Sequence, residues 1–315
     1  MKLAITMSCL LGLSSLCAQQ QPAPPRQFEL KAESPAFWKL MAHEAKLDKI
    51  TDGFKFLEGP AWDKAARVLY VNDEQGNKVW RVFPDGRKEL VLEIGDPDGS
   101  TFDRHHRLIV CVSVKRAVIA VQPDGQYKIL ADQYQGKKLN TPNDVVLGPD
   151  GALYFTDPPL DLPKTETQEQ PVKGVYRLAD DGSLRLLISD LNQPNGLAFS
   201  PDGKRLYVDD SRTREIHVYD FGRNAEVSNH RVFGKEEGGR GGPDGVRVDV
   251  KGNLFATGPG GIWVWSPAGQ HIGTIMLPEG AANLAWGDDD YKTLYIAGRT
   301  AVYRIRTKTR GFVPR

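Results

Sequence analysis

The sequence predicts an all-β protein: a six-bladed β-propeller with four antiparallel strands per blade, closed by an N-terminal strand. Three observations predict this fold, namely a motif that recurs along the chain, a repeated order of strands after each copy, and turn sequences between those strands. Repeats of about 40 to 50 residues are typical of architectures in which each unit buries its apolar face against its neighbours.

The recurring motif is a carboxylate or amide side chain placed four residues ahead of an apolar residue. Successive copies are separated by 40, 45, 52 and 49 residues. A sixth copy carries its polar residue one place later. We call the polar residues the heads and the apolar residues the anchors. The head and anchor pairs are Glu58 and Trp62, Asp98 and Phe102, Asn143 and Leu147, Asn195 and Phe199, Asp244 and Val248, and Asn283 and Trp286.

Each head begins a first strand, and second and third strands follow in all six copies. The second strands are expected at 69–71, 108–110, 153–155, 206–208, 254–256 and 294–296, and the third at 79–82, 118–121, 175–178, 216–219, 262–265 and 302–305. These segments alternate and are rich in β-branched and aromatic residues, which favours strands over helices. Asp-Gly turns such as 85–86 and 124–125 separate neighbouring strands and predict antiparallel hairpins.

A fourth, outer strand follows in copies one to five, for example at 90–92 and 184–188. Copy six has no such segment after Ile305. The segment 46–51 precedes copy one and has no partner in its own repeat, so we assign it as the outer strand of copy six. Closing the ring in this way removes the exposed edge that an open stack of sheets would have.

The N-terminal residues 1–18 have the pattern of a secretory signal peptide, with Lys2 ahead of an uncharged apolar stretch. We expect export to the periplasm or secretion. A lipoprotein anchored through Cys17 is the less favoured alternative, because Leu16 is bulky where a small residue is expected. Residues 19–45 are interpreted as a tether and lead-in segment, rich in Gln and Pro at its start, and residues 46–315 as the propeller.

Composition excludes several classes of partner. Lys and Arg number 41 against 40 Asp and Glu, so no basic surface for nucleic acid is expected. No later apolar stretch is long enough to span a membrane. The lipid anchor at Cys17 is therefore the one contact with a membrane that we consider. Cys111 is the single cysteine after processing, so no intramolecular disulfide is expected. The sequence does not predict an oligomeric state.

The heads are expected to line one mouth of the propeller channel, because the first strand of each blade is innermost. Carboxylates gathered there repel each other unless a cation or a proton neutralises them. Oxygen donors of this kind suit Ca²⁺, with Zn²⁺, Mn²⁺ or Mg²⁺ as substitutes. A resident zinc site is not favoured, since the six histidines are scattered. The alternative is a scaffold whose polar heads only hydrate the channel and cap turns.

At these positions the chain resembles the SMP-30/gluconolactonase/LRE-like lactonases, which are calcium-dependent six-bladed propellers. The segments that carry the resemblance are 57–62, 139–146, 154–159, 194–200 and 242–246. The resemblance implies that Glu58, Asn143, Asn195 and Asp244 ligate the metal, and that Asp244 also handles the proton. Two heads lie outside that ligand set, Asp98 and Asn283, and we expect them to contact substrate or ordered water. We expect the same of Thr141 and Asp157, which lie within two of these segments.

One segment departs from the family pattern. Bacterial members of the gluconolactonase type commonly carry Glu-His-Gly-Asn after the second strand of blade two, where this chain reads Val112-Ser113-Val114-Lys115. Polar groups able to line the pocket are thus replaced by apolar ones, which leaves the substrate open and the expected metal site intact. A second feature is the long segment 158–173 in blade three. It is interpreted either as a cover for the channel mouth or as a polar surface loop.

The expected function is hydrolysis of a small sugar-derived lactone, such as a glucono-1,5-lactone. Calcium would bind the carbonyl oxygen and stabilise the developing negative charge, while Asp244 orients or deprotonates the attacking water. Two alternatives stay open. One is a promiscuous lactonase or esterase acting on other cyclic esters or phosphotriesters. The other is a propeller that binds without turnover and uses calcium only to join its blades.

Overall fold

The computed structural model describes residues 26–314, and their fold is the six-bladed β-propeller that the sequence predicts. Five antiparallel sheets have four strands and one has five. Neighbouring blades contact each other through their first strands all the way around the ring. The predicted signal peptide, residues 1–18, and residues 19–25 of the predicted tether and lead-in segment lie outside the described residues.

The first three blades run in chain order, each from its innermost to its outermost strand. Blade 1 contains β3 (Leu57–Asp63), β4 (Val68–Asp73), β5 (Lys78–Val82) and β6 (Lys88–Glu93), and blade 2 contains β7 (Pro97–Phe102), β8 (Leu108–Val112), β9 (Ala117–Val121) and β10 (Tyr127–Ala131). Blade 3 contains β13 (Val145–Leu147), β14 (Leu153–Asp157), β15 (Gly174–Leu178) and β16 (Leu184–Ile188). A small hairpin of β11 (Gln133–Tyr134) and β12 (Lys137–Lys138) lies between blades 2 and 3 in the chain.

The other three blades include two strands from the N-terminal part of the chain. Blade 4 contains β17 (Pro194–Phe199), β18 (Arg205–Asp210), β19 (Glu215–Phe221) and β20 (Val227–Lys235). Blade 5 contains β21 (Val246–Val248), β22 (Leu254–Gly258), β23 (Gly261–Trp265), β24 (His271–Met276) and, at its outer edge, β1 (Glu29–Ala32). Blade 6 contains β25 (Ala281–Gly287), β26 (Thr293–Gly298), β27 (Ala301–Arg306) and, outermost, β2 (Leu47–Asp52).

Ring closure follows the prediction. Strand β2 pairs antiparallel with β27, with Leu47 opposite Ile305 and Asp52 opposite Ala301. This pairing joins the start of the propeller to its end, so the outer edge of blade 6 is covered by the chain's own strand. The expected segment 46–51 and the observed strand differ by one residue at each end.

Strand β1 is an addition to the predicted architecture. It lies in the lead-in segment and pairs antiparallel with β24, with Glu29 opposite Met276. A 3₁₀ helix at Phe37–Lys39 follows, and Phe37, Leu40 and Met41 are buried against blades 5 and 6. Burying each of these side chains contributes about 1.5–3 kcal/mol to the free energy of unfolding as an upper estimate. The lead-in segment is therefore part of the folded unit from about residue 29 onward.

The core is distributed between the blades. The first strands are buried along their whole length in β3 and β17, because they face the channel on one side and the neighbouring blades on the other. Second-strand residues such as Tyr154, Tyr207 and Tyr295 are among the largest fully buried side chains. Cys111 is buried and forms no disulfide within residues 26–314. Within residues 26–314 there is no helix with the length and apolar character needed to cross a membrane.

Candidate active site

The six heads lie together at one mouth of the channel, as the repeat predicts. Four heads lie near the starts of the first strands β3, β7, β17 and β25, namely Glu58, Asp98, Asn195 and Asn283. The other two, Asn143 and Asp244, lie two residues before β13 and β21. Five of them are buried, with Asn283 exposed by 1 % and Glu58 by 3 %. Asp244 differs because it is only partly buried.

A β-bulge accompanies the head in four of the six blades. The pairing of the first and second strands shifts register between Glu58 and Ala61, between Pro97 and Ser100, between Pro194 and Leu197, and between Ala281 and Asn283. A bulge inserts an extra residue into one strand and re-aims the side chains beside it. The bulges therefore separate the heads, which face one another, from the regular part of each first strand.

Glycine after the head lets the next blade approach. Four heads are followed directly by glycine, at positions 59, 99, 196 and 245. A side chain at Gly59 would overlap the backbone carbonyl of Asp98, and one at Gly196 would overlap the carbonyl of Asp244. The Gly99 amide donates to the carbonyl of Asn143 at 2.7 Å. Adjacent heads are thus held at backbone contact, which explains why a head-glycine pair recurs.

Each of three carboxylate heads is hydrogen-bonded to an amide head. The Asn143 Nδ2 donates to Asp98 Oδ2 at 2.7 Å, and the Asn283 Nδ2 donates to Glu58 Oε2 at 3.1 Å. Asn195 hydrogen-bonds Asp244. The Asn283 Oδ1 atom accepts from the backbone N–H of Leu284 at 2.9 Å, so that amide is used on both sides. Asn143 Oδ1 is buried and has no partner among residues 26–314.

Crowded carboxylates make the mouth strongly electronegative. Burial, and then the neighbouring Asp244 carboxylate, raises the pKa of Glu58 well above its usual range. Burial and nearby carboxylates, led by Glu58, do the same for the pKa of Asp98. For Asp244, burial and the Asp144 carboxylate raise the pKa to about 8. These directions mean that the folded protein without a cation favours protons on its heads, and a bound cation would replace those protons.

The donor chemistry of the heads fits a hard divalent cation. The proposed ligands Glu58, Asn143, Asn195 and Asp244 offer only oxygen atoms, and two of the four are charged, which balances a divalent ion. Within residues 26–314 no three His, Cys, Asp or Glu side chains are clustered so as to hold a metal. The proposed set reaches four donors by including the two amide oxygens. The unpartnered Asn143 Oδ1 is the atom that most directly fits such an ion.

Thr141 and Asp157 hold the two ends of the connection around the blade-three loop. The Thr141 hydroxyl donates to the carbonyl of Pro158 at 2.6 Å. Asp157 Oδ2 accepts from the backbone N–H of Asn140 at 2.8 Å, and burial raises the pKa of Asp157 to about 7. Both side chains are fully buried. The substrate contacts expected of Thr141 and Asp157 stay a prediction. Those expected of Asp98 and Asn283 do too, because their side chains are hydrogen-bonded to other heads.

The segment 158–173 is anchored to the body of the propeller. Arg116 is 3 % exposed, and its Nη1 donates to Glu166 Oε2 at 2.8 Å while its Nε donates to the carbonyl of Leu139 at 2.6 Å. The Gln170 side chain donates to the backbone carbonyls of Tyr134 and Lys137. The segment is therefore held against blades 2 and 3 by buried polar contacts.

Four acidic residues near the heads were not anticipated from the repeat. Asp144 follows a head directly, and Glu74, Asp96 and Asp161 come from three different connecting segments. Burial raises the pKa of each of the four. For Glu74, burial and the nearby negative charge of Glu58 raise the pKa to about 8. Glu74, Asp96 and Asp161 lie outside the repeated motif, so only the folded arrangement brings them to the mouth.

Comparison with known proteins identifies the family. Residues 56–300 match the SMP-30/Gluconolactonase/LRE-like region. A gluconolactonase of Zymomonas mobilis is 33 % identical over 306 residues, which cover 88 % of this chain and 86 % of that protein. An L-arabinolactonase of Azospirillum brasilense is 30 % identical over 236 residues, covering 70 % and 73 % of the two chains.

A solved structure supports the same assignment. A gluconolactonase from Xanthomonas campestris shares 33 % identity and superposes with a TM-score of 0.84, covering 92 % of this chain and 99 % of that one. The chain belongs to the SMP-30/gluconolactonase/LRE-like family, as the resemblance in its motifs predicted.

Proposed function

We propose that this protein hydrolyses a sugar-derived lactone, with Ca²⁺ held by Glu58, Asn143, Asn195 and Asp244. The observation that carries the proposal is the gathering of paired carboxylate and amide heads at one mouth of the channel. The names of the similar proteins, a gluconolactonase and an L-arabinolactonase, support a sugar lactone as the substrate class. They favour this function over the alternatives of another ester or a binding protein without turnover.

The bound ion would supply positive charge that stabilises the negative charge developing on the lactone carbonyl oxygen. The chain's own contribution is to hold the ligand oxygens in place. Asn283 fixes one oxygen of Glu58, and Asn195 is bonded to Asp244. Because these contacts exist within the folded chain, little reorganisation of the ligands is needed when the ion binds.

Asp244 is the residue best placed to take a proton from water. It is the one head that is partly exposed as a residue, and burial of its carboxyl group raises the pKa to about 8, which suits a base that works near neutral pH. As the base, Asp244 accepts the proton while the water oxygen bonds to the lactone carbonyl carbon. The ring C–O bond then breaks, and the proton passes to the departing oxygen. The product is a hydroxy acid, and atoms and charge balance without any further reactant.

The acidic surroundings suit a polyhydroxylated ring. Carboxyl groups such as those of Glu74 and Asp161 need hydrogen-bond partners in either protonation state, and sugar hydroxyl groups can satisfy them as donors and acceptors. An apolar lactone would bury these groups without giving them hydrogen bonds, which costs free energy. The mouth therefore favours sugar lactones over lactones with alkyl chains.

The deciding experiment is hydrolysis of a lactone panel, followed as acid release at constant pH. The panel contains a hexonolactone, a pentonolactone and an alkyl-substituted lactone of equal ring size, each with Ca²⁺ and with a chelator. We expect turnover of the sugar lactones that is lost on chelation and regained with Ca²⁺. Equal rates with chelator would exclude the metal assignment, and no turnover of any lactone would favour a binding protein.

A further inference from the structure

The anchors line a cavity at the end of the channel opposite the heads. Its volume is about 410 Å³, and all six anchors line it. Each anchor follows its head by three or four residues, so the two ends of the channel are separated by roughly 10–13 Å at about 3.4 Å per residue. Cavities of about 300 Å³ and more commonly bind small molecules. The proposed lactone site does not use this cavity.

The C-terminal segment gives the cavity a fixed wall. The Phe312 N–H donates to the carbonyl of Val248 at 2.9 Å, and Phe312 lines the cavity. Gly311 packs so closely on Trp286 that a side chain there would overlap the indole ring. The Thr309 hydroxyl donates to Asp249 Oδ2 at 2.7 Å. The apolar walls are therefore preformed and are held by backbone and buried polar contacts.

A single guanidinium group lies between the two ends of the channel. Arg247 lines the cavity, and its side chain is 14 % exposed. Its Nη1 donates to the carbonyl of Val246 at 2.7 Å and to Asp144 Oδ2 at 3.4 Å. Its Nε and Nη2 make no hydrogen bond to residues 26–314, and neither is among the buried unpartnered atoms. One edge of the guanidinium is thus open to a ligand.

The remaining charges of the cavity are mainly positive. Lys64 and Arg104 also line it, although Arg104 forms an ion pair with Asp180, and Asp103 is its one carboxylate among residues 26–314. Asp103 is already used, because it accepts from the Arg107 side chain at 2.7 Å and from backbone N–H groups of the same turn. The anchor end of the channel therefore favours an anion, in contrast to the acidic mouth formed by the heads.

We propose that this cavity is a second ligand site, for a small carboxylic acid with an apolar body. The apolar body packs among the anchors, and the carboxylate accepts two parallel hydrogen bonds from Nε and Nη2 of Arg247. A planar carboxylate matches the fork of a guanidinium, which makes such bidentate pairs both strong and specific. A cation is disfavoured by Arg247, and a fully polar anion would leave the aromatic walls without a partner.

The test is calorimetric titration of the full-length protein with two matched probes, 4-phenylbutyrate and 4-phenylbutanol. The probes share an apolar body and differ in charge. We expect the acid to bind more tightly than the alcohol. Arg247→Gln should lower the affinity for the acid by about 10- to 100-fold, because a hydrogen bond to a charged group is lost, and should leave the affinity for the alcohol unchanged.

Two further variants keep the test decisive. Ala198 lines the cavity, so Ala198→Leu should fill it and weaken both probes. Arg247→Lys keeps the charge but not the fork, and should give an intermediate affinity for the acid if Arg247→Gln does not fold. The proposal is overturned if acid and alcohol bind equally, if Ala198→Leu changes neither affinity, if no binding heat is seen at about 1 mM probe, or if a sugar lactone displaces the acid.

Discussion

The side-chain amide of Asn283 donates a hydrogen bond to Oε2 of Glu58 at 3.1 Å, which joins the last blade to the first at the mouth of the channel. The two residues are 225 positions apart in the sequence. The outer edge of the same ring is closed by β2 and β27, so the ring is joined both at its outer edge and at the proposed metal site. Stability of the ring and geometry of the site are therefore expected to depend on each other.

Metal removal should destabilise the fold. The four proposed ligands come from blades 1, 3, 4 and 5, so an ion bound by all of them stabilises only the closed ring. At a concentration of 100 times Kd, such a ligand adds about 2.7 kcal/mol to the free energy of unfolding. We expect a chelator to lower the melting temperature in a calorimetric scan and Ca²⁺ to restore it. A melting temperature unaffected by chelator would contradict the ligand assignment.

Asp244→Asn should abolish turnover without abolishing metal binding. The substitution keeps an oxygen donor but removes the charge and most of the basicity. Loss of a general base lowers rates by about 10²- to 10⁴-fold. Hydrolysis rates at saturating Ca²⁺, with occupancy measured separately by calorimetry, check this outcome.

Glu58→Gln is the matched control for Asp244→Asn. It removes the other carboxylate of the proposed ligand set and also leaves an oxygen donor. If Glu58 acts only as a ligand, its variant should recover much of the rate at high Ca²⁺, whereas Asp244→Asn should not. Equal recovery of both variants would show that Asp244 is a ligand only and that the base lies elsewhere.

The repeat made most of the fold predictable. The head and anchor spacing, with the strand order after it, indicates six blades, and the unpaired segment 46–51 indicates ring closure. Strand β1 was not predictable in the same way. Its four residues Glu29–Ala32 are mostly exposed and show no alternation of apolar residues. The segment forms a strand because it pairs with β24. Its position depends on tertiary contacts that leave no local pattern.

The site was predictable only where it follows the repeat. All six heads lie at the mouth, since the first strand of every blade places them there. Glu74 lies in the turn after the second strand of blade 1, where blades 2 and 4 carry Ser113 and Ser211, and Asp161 lies in the long segment 158–173 of blade 3. The path of the segment with Asp161 depends on Arg116, which reaches Glu166 across 50 positions of sequence. A contact of that range has no signature in a single sequence.

Stability of the metal-free protein should fall as the pH rises. Folding raises the pKa of Asp157 to about 7 and that of Glu236 to about 9, in both cases through burial, and that of Asp244 to about 8 through burial and the nearby Asp144. Their unfolded values lie near 4, so above about pH 4 the folded state binds more protons than the unfolded state. The free energy of unfolding then decreases with pH until the folded values are passed.

Melting temperatures with chelator, measured from about pH 5 to pH 8, test this dependence. We expect a steady decrease with chelator and a shallower one with Ca²⁺, because the ion replaces the proton on Asp244. A melting temperature that rises with pH in the chelated protein would show that these carboxyl groups are ionised in the fold without a cation.

Asn283→Ala should make Ca²⁺ binding require a higher pH. The Asn283 amide stabilises the ionised form of Glu58, so its loss raises the pKa of that carboxyl group further. Titrations of Ca²⁺ at several pH values measure the shift. Asn253→Ala is the matched control, because Asn253 donates a similar bond to Asp249 Oδ2 at 2.8 Å in a turn that contains no head. It should lower stability but leave the pH dependence of binding unchanged.

Gly196→Ala should loosen the contact between blades 4 and 5 at the proposed site. Its new methyl group would overlap the carbonyl of Asp244, so blade 5 has to move away from Asn195. Overpacking of this kind typically costs about 1–3 kcal/mol of the free energy of unfolding. Because Asn195 and Asp244 are both proposed ligands, Ca²⁺ affinity should fall together with the melting temperature.

The control for Gly196→Ala is Gly222→Ala, at a position where a methyl group meets nothing closer than 3.8 Å and where φ is −111°. That variant should keep both the melting temperature and the Ca²⁺ affinity, since neither space nor backbone conformation opposes it. If Gly196→Ala is destabilised yet binds Ca²⁺ as tightly as the parent, the blade contact supports the fold but does not position the ligands. The heads of blades 4 and 5 would then not share an ion.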